Sequence, residues 1–248
     1  MKGLGIIQAR MGSERFNGKS LLTIGDEKVI YHCYRAAIKS EVLDHTIVAT
    51  TTEKEDDVLI DYLESKNIDY FRGDKDNVYS RFYEIIEIYN PLFIARLTGD
   101  NPLIDHNVIS QVVKSHIKNN TEYSSNTIER TWPRGNDVEC VNSALLTSLS
   151  SKKLSRDEQE HVTLYIRKNI KNYKYCSVKN NKNLNFPQLR MTLDYEEDYK
   201  LILELFRLLK DKNLQISSKN IDSLVVENPS LLEINKNVEQ TSIDGIKW

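Results

Sequence analysis

Apolar and polar positions alternate in blocks along the first half of the chain. Short apolar runs at residues 4–8, 46–50, 68–71 and 92–98 are each followed by amphipathic stretches at 29–39, 53–66, 77–89 and 106–118. This β-α-β-α order predicts a parallel sheet flanked by helices. The runs Ile47-Val48-Ala49 and Phe93-Ile94-Ala95 are continuous and not alternating, as expected of strands covered on both faces. Ligands of such a sheet gather at the carboxyl ends of its strands.

Beyond about residue 120 the rhythm changes. Strand-like pieces at 123–126, 137–142 and 173–178 are interleaved with helical patterns at 143–150 and 157–169, which predicts a small mixed-strand insertion. Tyr199, Ile202, Leu205, Phe206 and Leu209 then fall on one helical face directly after Asp194. A helical stretch at 217–226 and a short piece at 231–234 follow. A polar tail from about 236 to 248 is expected to be loosely held. The whole, residues 1–248, reads as a single domain.

Composition narrows the class. With 34 basic against 36 acidic side chains, a net charge of -2 and 40% hydrophobic residues, the 248-residue chain is neither disordered nor a broad binder of nucleic-acid backbones. Any anionic ligand must be met by local charge. Cys33, Cys140 and Cys176 are far apart and odd in number, so they read as reduced thiols and point to the cytoplasm. No apolar run approaches the roughly 20 residues that cross a bilayer, so no membrane partner is expected.

Local charge is concentrated between the first strand and the first helix. IIQARMGSERFNGKSLL places Arg10, Arg15 and Lys19 beside Gly12, Ser13 and Gly18, at the carboxyl end of strand one. Small residues let backbone N–H groups approach an anion, while guanidinium forks and an ammonium supply the charge a triphosphate needs. The segment is not a Walker A loop. Gly12 to Gly18 encloses five residues where that motif has four, and Lys19 leads into Leu-Leu-Thr-Ile instead of a helix.

A second feature is ARLTGDNPLID, in which the fourth strand ends in Thr98-Gly99 and delivers Asp100 at its tip. A hard cation such as Mg²⁺ takes one or two protein carboxylates plus substrate phosphates, so Asp100 needs one distant partner. Asp194 in LRMTLDYEED follows an apolar run and should also sit at a strand end. It reads equally as a helix N-cap or as a metal ligand. Arg96, Arg134 and Arg190 are further basic residues that could face a carboxylate or phosphate, or form ordinary ion pairs.

IIQARMGSERFNGK, IVATTTEKEDD, FRGDKDNVYSRF, RLTGDNPLID, EHVTLYI, MTLDYEED and ENPSLLEIN, in this order, resemble the cytidylyltransferase family. That family includes the SpsF-like spore-coat-polysaccharide proteins and, more distantly, the CMP-Kdo and CMP-sialate synthetases. The resemblance implies a Rossmann-like nucleotidyltransferase fold. It implies CTP and Mg²⁺ as partners, transfer of CMP to a sugar-acid acceptor for surface polysaccharide synthesis, and release of pyrophosphate. A phosphorylated acceptor giving a CDP-linked product is the alternative.

Carried over, Arg10, Ser13, Arg15 and Lys19 would hold the triphosphate, with Arg10, Lys19 and Asp100 as the catalytic set. Asp100 and Asp194 would hold Mg²⁺, which turns Asp194 from cap toward ligand. Ala9, Gly12, Thr50, Arg72, Thr98 and Gly99 complete the expected nucleotide contacts. Arg134, His161, Tyr165 and Arg190 are the expected acceptor contacts, with His161 and Tyr165 one turn apart on a helix. A homodimer is expected, with residues 120–180 as the region for acceptor or subunit contacts. The chain departs from the family pattern at Phe16-Asn17, Leu164 and Tyr195-Glu196. A glycosyltransferase would normally carry Asp-x-Asp, and Asp100 is followed by Asn101-Pro102. A non-catalytic nucleotide-binding module would not need both carboxylates.

Overall fold

A computed structural model describes residues 2–13, 15–180, 184–239, 242–243 and 246–247. Strand β1 (Gly3–Gln8) enters a basic loop that closes with one 3-10 turn, Lys19–Leu21, followed by a hairpin of β2 (Thr23–Ile24) and β3 (Glu27–Lys28). Then come α1 (Val29–Lys39), β4 (His45–Thr51), α2 (Asp57–Ser65), β5 (Tyr70–Gly73), α3 (Val78–Tyr89), β6 (Phe93–Thr98) and α4 (His106–Asn119). The second half contains β7 (Tyr123–Ser125), β8 (Glu139–Asn142), α5 (Ser143–Ser148), α6 (Arg156–Glu160), α7 (Leu164–Lys168) and β9 (Tyr175–Ser177). It ends with α8 (Glu196–Asp211), α9 (Ser218–Glu227) and a small β10 (Ser242–Ile243) and β11 (Ile246–Lys247) pair.

The main sheet has the order β5-β4-β1-β6-β8-β7-β9. Its first four strands are parallel, while β8 runs antiparallel to β6 and β7, giving the mixed extension expected from the changed rhythm. Alternate side chains of the parallel strands feed two cores. Ile7, Val48, Ala95 and Leu97 meet α1, α2 and α4 on one face. Leu4, Ile6, Ile47, Ala49 and Ile94 meet α3, α5 and α7 on the other. A third cluster packs α8 and α9 against Ile24, Val29 and Leu103, which carries the last third of the chain back onto the start of α1.

Three expectations are corrected. The strand expected at 68–71 lies at Tyr70–Gly73, because Ile68 is buried beneath α2 and the sheet pairing starts at Val48 opposite Tyr70. The single helix expected over 157–169 is broken into α6 and α7. His161 leaves helical geometry at φ -103°, ψ 61°, and Thr163 Oγ1 donates to the buried Glu139 Oε1 at 2.8 Å, which pulls the chain inward. His161 therefore ends a helix and does not lie on one. Asp194 is not at the end of a regular strand either: its segment forms an isolated bridge between Arg190 and Arg134 and is no strand of the sheet. Of the expected polar tail at 236–248, residues 240–241, 244–245 and 248 lie outside the described residues.

Candidate functional site

The carboxyl ends of β1 and β6 meet in a groove of about 280 Å³. Gly99 makes the meeting close: its N–H donates to Gln8 O at 2.9 Å, and a Cβ at Gly99 would stand 2.8 Å from Ala9 Cβ. One wall comes from the basic loop, with Ala9, Arg10, Ser13, Arg15 and Lys19. The floor comes from Thr98, Gly99 and Asp100, and the far side from Arg134, His161 and Asp194.

Lys19 is the hub. Its Nζ donates to Asp100 Oδ2 at 2.8 Å, Asp194 Oδ1 at 2.9 Å and Leu193 O at 2.8 Å. Burial opposes the charge, but the two carboxylates outweigh it and raise the ammonium pKa. Asp100 also accepts from Thr98 Oγ1 at 2.7 Å, and its carbonyl accepts from Leu193 N at 2.8 Å. That backbone bond ties the two acidic loops together.

Asp194 is not the cap of α8. Tyr195 is the N-cap, and Asp198 three residues on closes the start of the helix, accepting the N–H groups of Asp194 and Tyr195 at 3.0 and 3.1 Å. The Asp194 carboxylate is thereby left to face Lys19, Arg15 at 2.9 Å and Arg190 at 2.9 Å. Burial opposes its ionisation, yet Lys19, Arg15 and Arg190 together hold its pKa below the ordinary carboxylate range. The departure at Tyr195 has a local use, since the Arg15 guanidinium lies 5.8 Å from the centroid of its ring.

Beyond Asp100 lies a buried ion-pair network. Glu139 of β8 pairs with Arg96 and accepts hydrogen bonds from the hydroxyls of Tyr123 and Thr163. Burial opposes its charge, but Arg96 and Arg167 keep its pKa low. Arg96 Nε also donates to Gln8 Oε1 at 3.0 Å. Above this network, burial and then Arg96 push the His161 pKa down, so the ring is neutral at pH 7. Arg134 Nη1 is buried and has no hydrogen-bond partner among the described residues. Burial and the neighbouring Arg130 lower its pKa to about 10, which leaves it a cation at neutral pH.

Several expected residues lie elsewhere. Thr50 is fully buried beneath the loop and donates to Asp56 at 2.9 Å. Arg72 is spent on Thr51 O, Glu53 O and Asp57, and Gly12 backs onto the Glu55 side chain. Tyr165, on α7, packs half-buried against the core. Arg190 is buried and bonded to Asp194 and Asp198, so it orients the second carboxylate from behind. The sequence reading missed Gln8, Arg81, Asp137 and Glu139, all of which line the groove. Two of them carried a signal: Arg81 interrupts the apolar face made by Val78, Phe82, Ile85 and Ile86, and Glu139 interrupts the apolar run from Val138 to Val141.

The donor set suits a hard cation. Among the described residues no group of three or more His, Cys, Asp or Glu side chains could hold a metal. Two carboxylates already sharing one cationic group are nonetheless the set Mg²⁺ takes when phosphates supply the remaining ligands. No helix among the described residues is long and apolar enough to cross a membrane.

Fold and groove together define the class, a nucleotidyltransferase working at the carboxyl edge of a Rossmann-like sheet. The chain belongs to the cytidylyltransferase family, whose model matches residues 4–243, and it is a CTP-dependent nucleotidyltransferase. It is 32% identical over 229 residues to the spore coat polysaccharide biosynthesis protein SpsF of Bacillus subtilis, covering 90% of this chain and 94% of that one. A 3-deoxy-manno-octulosonate cytidylyltransferase of Trichlorobacter lovleyi is 31% identical over 119 residues, covering 48% of this chain and 46% of that enzyme. The solved structure of a cytidylyltransferase from Leptospira borgpetersenii superposes with a TM-score of 0.86 at 29% identity, covering 98% of this chain and 99% of that one.

Proposed function

We propose that the chain transfers CMP from CTP to the hydroxyl of a sugar acid, with Mg²⁺, in the making of a surface glycan. The observation that carries this reading is the pair of carboxylates, Asp100 and Asp194, gathered on the Lys19 ammonium between a basic loop and an arginine-lined wall. Asp100 and Asp194 would hold Mg²⁺, which supplies charge neutralisation on phosphate oxygens and lowers the pKa of an attacking hydroxyl.

In the reaction the acceptor oxygen bonds to the α-phosphorus and gives up its proton to water, the bond to the bridging oxygen of the β-phosphate breaks, and pyrophosphate leaves with that electron pair. Arg10, Arg15 and Lys19 neutralise the charge that builds on the departing group, and their preorganisation is the main catalytic contribution. Ser13 adds a hydroxyl donor to the same loop. Arg134 provides an unsatisfied cationic N–H for the acceptor carboxylate, and neutral His161 offers a hydrogen bond to its hydroxyls. The relative named for 3-deoxy-manno-octulosonate supports a sugar acid over a phosphorylated acceptor.

The test is Mg²⁺-dependent pyrophosphate release from each of four NTPs against nonulosonic acids, Kdo-like acids, and sugar or polyol phosphates. Turnover with CTP and a sugar acid is the expected result. Turnover only with a phosphorylated acceptor, or tight CTP binding with no turnover on any of them, would overturn the acceptor assignment.

A further inference from the structure

One cation of the groove has no part in the chemistry above. Arg81 lies on the apolar face of α3, only 2% exposed, with its stem laid across Gly73. A Cβ at Gly73 would stand 2.6 Å from Arg81 Cγ, so a glycine is required there for the side chain to pass. The guanidinium reaches the groove wall beside Val78. Nη1 makes a 3.5 Å approach to Ala49 O, and the buried Nε has no hydrogen-bond partner among the described residues. Leaving a buried charged donor unpaired is costly and is tolerated where a ligand completes it. Burial, then Arg10, lowers the Arg81 pKa to about 10, and Asp56 and Asp74 oppose that fall, so the group stays cationic at neutral pH.

Its place in the sheet identifies the part of the ligand it meets. The paired carboxylates and Lys19 sit at the end of β6, and Arg134, His161 and Glu139 lie on the β8 side. Arg81 sits on the opposite side, over the ends of β4 and β5. If phosphates occupy the centre and the acceptor comes from the β8 side, the nucleoside is left the β4–β5 end. There Val78 offers an apolar surface and Arg81 a planar fork.

We infer that Arg81 reads the nucleobase, donating from the Nε edge of its guanidinium to the adjacent O2 and N3 acceptors of cytosine. This inference rests on the CTP reading above. A guanidinium edge carries two parallel N–H groups, which match two neighbouring acceptors. Uracil keeps O2 but turns N3 into a donor, so one N–H of the fork would face another N–H. Arg81 thus selects CTP over UTP.

The experiment is calorimetric binding of CTP, UTP and inorganic pyrophosphate to the full chain, its R81K variant and its R81M variant, with circular dichroism and melting curves as folding controls. Both variants are expected to lose about 10- to 100-fold in CTP affinity, the range of one bidentate base contact. They should bring the CTP to UTP ratio near one while pyrophosphate binding stays unchanged. R81K keeps the charge and loses the fork, so its failure to discriminate separates recognition from simple attraction.

Equal losses for CTP and pyrophosphate would make Arg81 a phosphate contact and overturn the inference. An unchanged CTP to UTP ratio would overturn it as well. A wild-type chain that binds pyrophosphate but no CTP would sink the CTP reading itself, and a failure confined to the variants would leave that reading standing. A pyrimidin-2-one ribonucleoside triphosphate, which keeps O2 and N3 without the 4-amino group, needs no variant. It should bind the wild type within about tenfold of CTP and well above UTP, and binding no better than UTP would reject the role.

Discussion

The two halves of the groove are built on different plans. The nucleotide half uses parallel strands whose ends deliver one short loop after another, so Arg10, Ser13, Arg15, Lys19 and Asp100 arrive on local sequence. The half proposed to meet the acceptor is made of pieces distant in sequence: Arg134 before β8, Glu139 on it, His161 at the break between two short helices, and Asp194 before α8. Its side chains are held by a buried charge network instead of by strand ends. Both walls carry ion pairs, but Lys19 and Arg15 pair with the carboxylates of the groove, whereas Arg96 and Arg190 pair with the buried Glu139 and Asp198.

That contrast can be broken first at Glu139. Glu139→Gln leaves Arg96 short of its counter-charge and places an amide donor against the Tyr123 and Thr163 hydroxyls. We expect a loss of about 3–5 kcal/mol in urea unfolding, the range for breaking a buried ion pair. A loss under about 1 kcal/mol would mean the acceptor half does not depend on its network.

On the nucleotide side, Asp100→Asn should lower turnover by about 100- to 1,000-fold with little change in melting temperature, as for loss of one preorganised electrostatic group. Full Mg²⁺-dependent activity in that variant would remove Asp100 from the chemistry. Arg134→Met is expected to raise the acceptor KM by about tenfold while the CTP KM stays put. A matched rise in both would erase the division between the halves.

Each half also contains a buried histidine whose pKa lies below 6.5. Burial is the main cause for both His32 on α1 and His116, the latter bonded to Ser124 and Asn142. The unfolded chain binds more protons than the fold as pH drops, so stability is full above about 6.5 and is lost below it. One pH unit below, the loss is at most about 1.4 kcal/mol for each. Unfolding at pH 7.5 and 5.5, repeated with His116→Gln, should show the acid loss shrink in the variant. The smallest effect is expected from Tyr165→Phe: under about 0.5 kcal/mol in stability and no change in acceptor KM, because Tyr165 packs half-buried against the core and does not line the groove.

The same contrast explains what could be read from the chain. The parallel strands, the basic loop and Asp100 were legible because spacing and position coincide within a few residues. Arg72 and Thr50 stand in suggestive segments, yet their donors are taken up by Thr51 O, Glu53 O and Asp56, and no linear pattern reports such a commitment. The break at His161 depends on a hydrogen bond from Thr163 to Glu139, 24 positions away. Asp194 stayed ambiguous between cap and ligand until Asp198 was seen to hold the start of α8. Arg81 and Glu139 were visible only as charges in apolar company, a pattern that also fits an ordinary buried pair.

Asn235 gives this architecture an order in time. Its amide donates to Asp198 Oδ1 at 2.9 Å and to Arg190 O at 3.0 Å, and Asp198 and Arg190 in turn hold the Asp194 region. A chain emerging from the ribosome would complete the four parallel strands and the basic loop long before residue 235 appears. The growing polypeptide can therefore present its basic loop early, while the Asp194 carboxylate is fixed only once residue 235 has joined the fold.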